Sequence, residues 1–346
     1  MFVVVKILEN VNLSAYSTMR LGGKTRYLSE AGSDQELAKL VEWAKGEKLP
    51  LIVIGQGSNI VWRDEGFDGL VIVNKILGRK ILGEEDTSAT VRLGAGENWD
   101  EVVAWTIEHD WGGLELLSKI PGTVGAAPIQ NIGAYGQELS LVLVEAEALD
   151  TKTMAFGAVV NDACNFGYRT SRFKTTDKGR FLITAITLRL NKDQPQPPFY
   201  ESLAEYFKDK GITSYSRQIV RDAVIAIRSS KLPDPSVVNN NGSFFINPVV
   251  GKELADKITS RYPELVSWPT EDGQVKLSAG WMIEQAGFKD IHDPTTGMAT
   301  WKGSALVMVN ERAKKTADLL AFKKKIVDKV NAMFGVTLEQ EPEFLP

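Results

Sequence analysis

The sequence predicts an α/β or α+β chain of two or three domains. Three observations carry that expectation. Strand-like apolar runs alternate with helical spacing through the first third, the middle third turns to strands, and 346 residues exceed what one hydrophobic core usually holds.

In chain order, Tyr27–Glu30 reads as extended, and helical spacing follows from Asp34 through Leu37, Leu40, Val41 and Ala44, with Asp34 as N-cap. Leu51–Ile54 is a short apolar strand, and Gly69–Val73 is another behind the turn-rich Arg63–Asp68. Thr90–Leu93 reads as a strand, and Trp99–Glu108 as a helix with Trp99, Val102, Val103 and Trp105 on its apolar face. Leu141–Leu149, Ala155–Val160 and Phe181–Leu190 resume strand character. Gln194-Pro-Gln-Pro-Pro198 breaks regular structure and marks a boundary near Asn191–Phe199. Beyond it, Arg217–Ser229, Lys252–Arg261 and Ser278–Gln285 have helical spacing, and Ala305–Val309 is a buried strand. Thr316–Phe334 is a strongly amphipathic helix closed by Gly335.

Composition excludes several classes of function. Lys and Arg number 40 against 44 Asp and Glu, a net charge of −4 that offers nucleic acid no general attraction. The one Cys, Cys164, cannot form an internal disulfide; with only two His, His109 and His292, an ordinary zinc site or a His-based triad is disfavoured. The opening MFVVVKILENVN is too short an apolar run for a signal peptide, and no later run approaches a membrane span. The expectation is a cytoplasmic, metal-free protein whose chemistry comes from carboxylates, hydroxyls, Lys, Arg or a borrowed cofactor.

Five segments stand out. Gly55-Gln56-Gly57-Ser58-Asn59 follows an apolar strand, and glycines there let backbone amides approach an anion. It lacks the third glycine and following helix of the dinucleotide fingerprint, and a tight turn between strands is the competing explanation. Ile120–Gly136, studded with Pro121, Gly122, Gly125, Pro128, Gly133 and Gly136, offers little side-chain packing for the entropy it costs. A long surface loop explains it, and so does backbone wrapped around a cofactor. Two such nests fit a large diphosphate cofactor such as FAD. Phe166-Gly-Tyr-Arg-Thr-Ser-Arg-Phe-Lys174 sets cations beside aromatic rings, where a guanidinium suits a carboxylate and a solvated strand end is the plainer reading. Asn239–Pro248 places Ser243 just after a glycine, as a turn residue or as a catalytic hydroxyl. The acidic tail Leu338-Glu-Gln-Glu-Pro-Glu-Phe-Leu345 reads as a solvated terminus on its own.

Together these segments resemble the UDP-N-acetylenolpyruvoylglucosamine reductase family, the FAD-dependent UDP-N-acetylmuramate dehydrogenases of bacterial peptidoglycan synthesis. The resemblance runs from Ser17-Thr-Met-Arg-Leu-Gly-Gly23 to Phe344, and its most specific part is Gly113–Gly136, which reads GLELLSKIPGTVGAAPIQNIGAYG. Phe166-Gly-Tyr-Arg169, Lys231-Leu-Pro-Asp-Pro235, Gly242-Ser-Phe-Phe-Ile-Asn-Pro248 and Leu338-Glu-Gln-Glu341 follow in the family's order. Pro198-Phe-Tyr-Glu-Ser-Leu203 looks like the Tyr-bearing insertion of the longer subtype. Three positions depart from the family pattern: Gln340 stands for the usual Pro of the tail, Glu343 for an Arg, and Trp301 for a common His.

The resemblance implies an α+β chain with a vanillyl-alcohol-oxidase/PCMH-type FAD-binding fold of two α+β subdomains, 1–78 (completed by 334–346) and 79–215. A smaller α+β substrate-binding domain would span 216–333. It implies FAD on Gly55, Gln56, Gly57, Ser58, Asn59, Pro121, Gly122, Gly125, Ala126, Asn131, Gly133, Ala134, Tyr135 and Ile183. NADPH would reduce the flavin, with hydride then passing from flavin N5 to C3 of the enolpyruvyl group and a proton from Ser243 to C2. Charge builds on the substrate carboxylate as an enediolate, which Arg169 and Glu341 are expected to hold. Tyr168, Tyr200, Lys231, Asn247 and Lys289 are expected on the substrate or its diphosphate. Expected partners are NADPH and a UDP-sugar enolpyruvyl ether, bound by a monomer that neither binds nucleic acid nor enters a membrane. The alternatives are an FAD-linked alcohol or aldose oxidase of the same fold, and a non-enzymatic sugar-nucleotide or flavin binder.

Overall fold

Helices form where apolar side chains recur every three or four residues. In the computed structural model, which describes residues 5–346, they are α1 (Asp34–Gly46), α2 (Trp99–Glu108), α3 (Glu201–Asp209), α4 (Arg217–Lys231), α5 (Lys252–Arg261), α6 (Ala279–Gln285) and α7 (Thr316–Phe334). The first four residues, where the N-terminal apolar run begins, lie outside the described residues. None of the described helices is long and apolar enough to cross a membrane.

α2, α5 and α7 have the bounds their periodicity predicts. Gly335 ends α7 in the left-handed region at φ 69°, its N–H donating to the Asn331 carbonyl. At α1 the expected cap shifts by one residue. Ser33, with extended backbone, accepts from the Glu36 N–H at 3.2 Å, and Asp34 becomes the first helical residue, where its charge suits the helix dipole. α3 escapes the sequence reading because its apolar pair Leu203 and Phe207 follows a run of prolines.

The chain divides into two compact units. The first holds residues through 11, Thr25–Gln56 and Phe67–Arg228. One of its sheets orders Leu8–Asn12, Lys24–Ala31, Phe67–Asn74 and Leu51–Ile54, and Phe67–Asn74 runs parallel to the strands on both sides. Parallel neighbours need a crossover, which α1 supplies while burying Leu37, Leu40, Val41 and Ala44 with Leu70 and Ile72. The other sheet is antiparallel and orders Phe156–Val160, Leu143–Asp150, Phe181–Asn191, Ser88–Gly94 and Arg79–Glu84. α2 packs Trp99, Val102 and Val103 with Val91, Leu93, Ile186 and Leu188 of that sheet.

The proline-rich Gln194–Pro198 does not end this unit. The chain runs on into α3 and α4, whose Leu203, Phe207, Val220 and Val224 form a cluster joined by Leu116 and Tyr135. Arg221 of α4 grips Asp100 of α2 with two bonds at 2.7 and 3.0 Å, and buried Arg217 bonds Asp110.

The second unit holds Asn12–Lys24, Gly57–Gly66 and Ser229–Pro346. Its main sheet orders Asn239–Ser243, Ser304–Asn310 and Met298–Trp301, and a smaller one orders Val249–Val250, Val275–Leu277 and Ser267–Pro269. The last strand, Glu343–Leu345, pairs in parallel with Ile60–Trp62. α7 buries Leu319, Phe322, Ile326 and Val330 in a core with Phe244, Phe245, Leu277 and Met308. Each such burial contributes about 1.5–3 kcal/mol before entropy is counted.

Candidate active site

In the first unit the two glycine-rich segments touch. A Cβ on Gly55 would lie 2.2 Å from Thr123 Oγ1, so only glycine permits this approach of the strand end to the second segment. Pro121 and Gly122 precede a short 3-10 helix, Val124–Ile129, which contains Gly125 and Ala126. The Gly125 and Ala126 N–H groups donate to the carbonyls of Ala95 and Thr123, so these two amides are committed to the protein.

Gln56 is exposed, and the chain passes into the second unit between it and Gly57. Gly57, at φ 71°, lies where a Cβ would be 2.1 Å from the Tyr16 carbonyl. Ser58 and Asn59 complete that turn, their carbonyls accepting from Asn241 Nδ2 at 3.0 Å and from the Glu343 N–H at 3.0 Å. Ile183 packs in the core of the first unit, and its carbonyl accepts from Asn74.

Asn131 braces the first unit's site. It is buried, with Nδ2 donating to Glu138 at 2.7 Å and Oδ1 accepting from the Ser140 N–H at 3.0 Å. It thereby holds the hairpin in which Gly133 and Ala134 pair with Glu138 and Gln137. Arg169 sits in the turn between Gly167 and Thr170, which bond each other in both directions. Its φ of 55° is a strained setting for a non-glycine residue. Its guanidinium donates to the Gly133 carbonyl at 2.8 Å and lies 5.4 Å from the centre of the Tyr168 ring. Tyr135 meets Tyr200 edge to face at 5.8 Å, and burial pushes the Tyr135 hydroxyl pKa up.

Arg228 of α4 joins this group, and sequence reasoning missed it. Burial pushes its guanidinium pKa down and Arg169 pushes it further, while Tyr135 and Asp100 oppose the shift. Its buried Nε has no hydrogen-bond partner among the described residues, and Asp100 is already bonded to Arg221. A buried guanidinium whose Nε has no partner among the described residues, with the nearby carboxylate bonded to Arg221, makes a place for an anion. The available signal was helical spacing, since Arg228 lies three residues before Lys231.

In the second unit, Ser243 ends the strand Asn239–Ser243 opposite Val307, beyond a register shift at Asn240. Gly242, at φ 69°, donates to Asn240 Oδ1 at 2.7 Å. The tail then returns as an added strand: the Ile246 N–H donates to the Glu339 carbonyl at 3.0 Å, and the Glu341 N–H to the Phe244 carbonyl at 2.9 Å. Glu341 is therefore fixed to the residue that follows Ser243. Asn247 accepts from the Ala279 N–H at 3.0 Å where α6 begins, and Lys289 pairs with Glu284 of α6 at 3.0 Å, so α6 groups these two. Lys231 is exposed at the end of α4.

Asn241, also missed, donates to Thr18 and to the Ser58 and Ile60 carbonyls. Its buried Oδ1 has no partner among the described residues. In the first unit, the Nε of Arg228, which has no hydrogen-bond partner among the described residues, and the close approach of Gly55 to Thr123 suit a ligand carrying anionic groups, and FAD is such a ligand.

The remaining reactive groups are engaged elsewhere. Burial pushes the Cys164 thiol up to about 11, which leaves it inert. His292 contacts Glu311 at 2.8 Å, and His109 stacks on Trp111. No group of three or more His, Cys, Asp and Glu among the described residues is placed to hold a metal ion.

Known proteins match this chain along most of its length. The model of an FAD binding domain matches residues 25–153, and that of the C-terminal domain of UDP-N-acetylenolpyruvoylglucosamine reductase matches residues 234–345. The chain is 42% identical over 339 residues to the UDP-N-acetylenolpyruvoylglucosamine reductase of Alcanivorax borkumensis, covering 98% of this chain and 96% of that one. It is 42% identical over 343 residues to the protein of that name from Burkholderia orbicola, covering 98% and 97%. A crystal structure of the reductase from Thermus caldophilus superposes with a TM-score of 0.68 at 22% identity over the whole of both chains, which shows the shared fold. With full-length relatives at this identity, the chain belongs to the UDP-N-acetylenolpyruvoylglucosamine reductase family.

Proposed function

We propose that this chain reduces UDP-N-acetylglucosamine enolpyruvate to UDP-N-acetylmuramate in peptidoglycan synthesis, using FAD and NADPH. The observation that carries the reading is the Glu341 N–H bond to the Phe244 carbonyl, which ties the backbone of the tail at Glu341 to the neighbour of Ser243. A merely solvated terminus needs no such seat. Bound FAD, once reduced by NADPH, supplies the hydride that reaches C3 of the enolpyruvyl group.

The chain's own residues then have distinct tasks. Arg169 holds the substrate carboxylate, where negative charge grows as the hydride adds, and its strained backbone pre-sets the guanidinium. Glu341 holds the same group through a shared proton. Ser243 gives the proton to C2; a hydroxyl is a weak acid, but the carbon it protonates is strongly basic. Tyr168, Tyr200, Lys231, Asn247 and Lys289 hold the sugar nucleotide and its diphosphate. In this reading 1–78, completed by 334–346, and 79–215 carry FAD, 216–333 carries the substrate, and the protein works as a cytoplasmic monomer on small molecules.

The test separates two half-reactions by stopped-flow absorbance of the flavin. Ser243→Ala is expected to leave flavin reduction by NADPH near normal and to slow reoxidation by the enolpyruvyl sugar nucleotide about 10²–10⁴-fold. Normal reoxidation in this variant removes Ser243 as the proton donor. NADPH consumption that is indifferent to the sugar nucleotide and coupled to oxygen assigns the chain to the oxidases instead.

A further inference from the structure

At Gln340 the tail meets a specific partner from α7. Lys323 lies on α7 between Phe322 and the next core residue, Ile326. Its ammonium donates to Gln340 Oε1 and lies 5.7 Å from the centre of the Phe344 ring. These contacts fall one residue before Glu341 and three after it. Phe344 also meets Phe244 edge to face at 6.5 Å, and Phe244 is the residue whose carbonyl accepts the Glu341 N–H.

We propose that Lys323 is a positioning residue for Glu341, clamping the tail to α7 at the two points that bracket that carboxylate. The inference rests on the reading of Glu341 as a residue that holds substrate.

The physical case starts from the backbone. A proline at position 340 stiffens the chain through its fixed φ, whereas glutamine leaves that residue freer. The tail is held by main-chain bonds at Glu339, Glu341, Glu343 and Leu345, and a chain-terminal segment frays more readily than the core unless further contacts tie it down. The Lys323 bond to Gln340 supplies stiffness in another way, as a cross-link to a helix anchored in the core. Ring and amide face the ammonium from opposite ends of the same short segment, so a shift of the tail breaks both contacts together. Lys323 is half-buried, and burial pushes its pKa down. A long cation desolvated in this way earns its place through the groups it touches.

The experiment uses the flavin-loaded enzyme with Lys323→Met, Lys323→Arg, and Lys323→Met combined with Gln340→Pro. Lys323→Met keeps the packing stem and loses the donor. It is expected to leave flavin reduction by NADPH and the melting temperature near those of the parent. Reoxidation by the enolpyruvyl sugar nucleotide is expected to slow about 10–100-fold, the loss that follows a misplaced contact group. Hydrogen exchange of the Glu341 amide is expected to quicken about 10-fold as the tail loosens. Lys323→Arg is expected to retain both properties, and Gln340→Pro to recover most of each in the Met background.

Unchanged exchange at Glu341 in Lys323→Met overturns the inference, whatever Glu341 does chemically. Equal slowing of both half-reactions with a lowered melting temperature also overturns it, because Lys323 is then only structural. Glu341→Gln, run alongside, isolates the underlying reading: normal turnover there sinks the role of Glu341, while slow turnover there with normal turnover in Lys323→Met sinks the clamp alone.

Discussion

Several residues of this chain are legible only through what surrounds them. Cys164 is the one cysteine of the sequence, and it is wholly buried with its thiol pushed up to about 11. The thiolate is the nucleophile, so the native protein at pH 8 is expected to resist a chromogenic thiol reagent and to release one equivalent of colour only on unfolding. Prompt reaction of the native protein contradicts the packing described. Arg169 and Arg228 make the opposite point: each alone is an ordinary cation, but together, with Asp100 bonded to Arg221, they define a place that wants an anion.

Among the elements, the antiparallel sheet carries a pH-sensitive fastening. Asp150 ends the strand Leu143–Asp150, and Arg180, just ahead of Phe181–Asn191, donates to it at 2.8 Å. Arg180 holds the Asp150 carboxyl down at about 2, below the ordinary range of an aspartate. A depressed carboxylate pKa means stability that is present above the unfolded value and lost as pH falls through the folded one. Asp150→Asn is therefore expected to lower the melting temperature at pH 5, with the difference from the parent shrinking between pH of about 4 and about 2. A difference that persists unchanged to pH of about 2 shows that the ion pair is not its source. The pair is part-buried at the surface and still reached by solvent, so salt is expected to weaken the effect.

For the whole molecule, the decisive property is how FAD is held. Cys164 is buried, His109 stacks on Trp111, and His292 is engaged with Glu311, so the usual side chains for a covalent flavin link are occupied. Acid precipitation of the yellow protein is expected to release all colour to the supernatant. Colour kept in the pellet shows a covalent link and returns the chain to the oxidase alternative.

The sequence by itself determined every helix but α3, and the glycine-rich turns, because both follow from neighbours within a few residues. α7 is written in its repeating apolar positions and in Gly335, and the two nests in their glycines. Local signals were also enough to misplace the α1 cap by one residue, since Ser33 and Asp34 are both good caps and only the backbone angle separates them. They hid α3, whose pattern is short and follows prolines. The short strand Ile60–Trp62 shows too few residues to alternate, and its parallel partner is the C-terminal segment. Only tertiary structure decided that Glu341 meets the neighbour of Ser243, that Lys323 takes Gln340, and that Arg228 comes beside Arg169. Each of these unites residues far apart in the chain, and their meeting is set by the packing of cores and the return of a strand rather than by any propensity of the residues themselves.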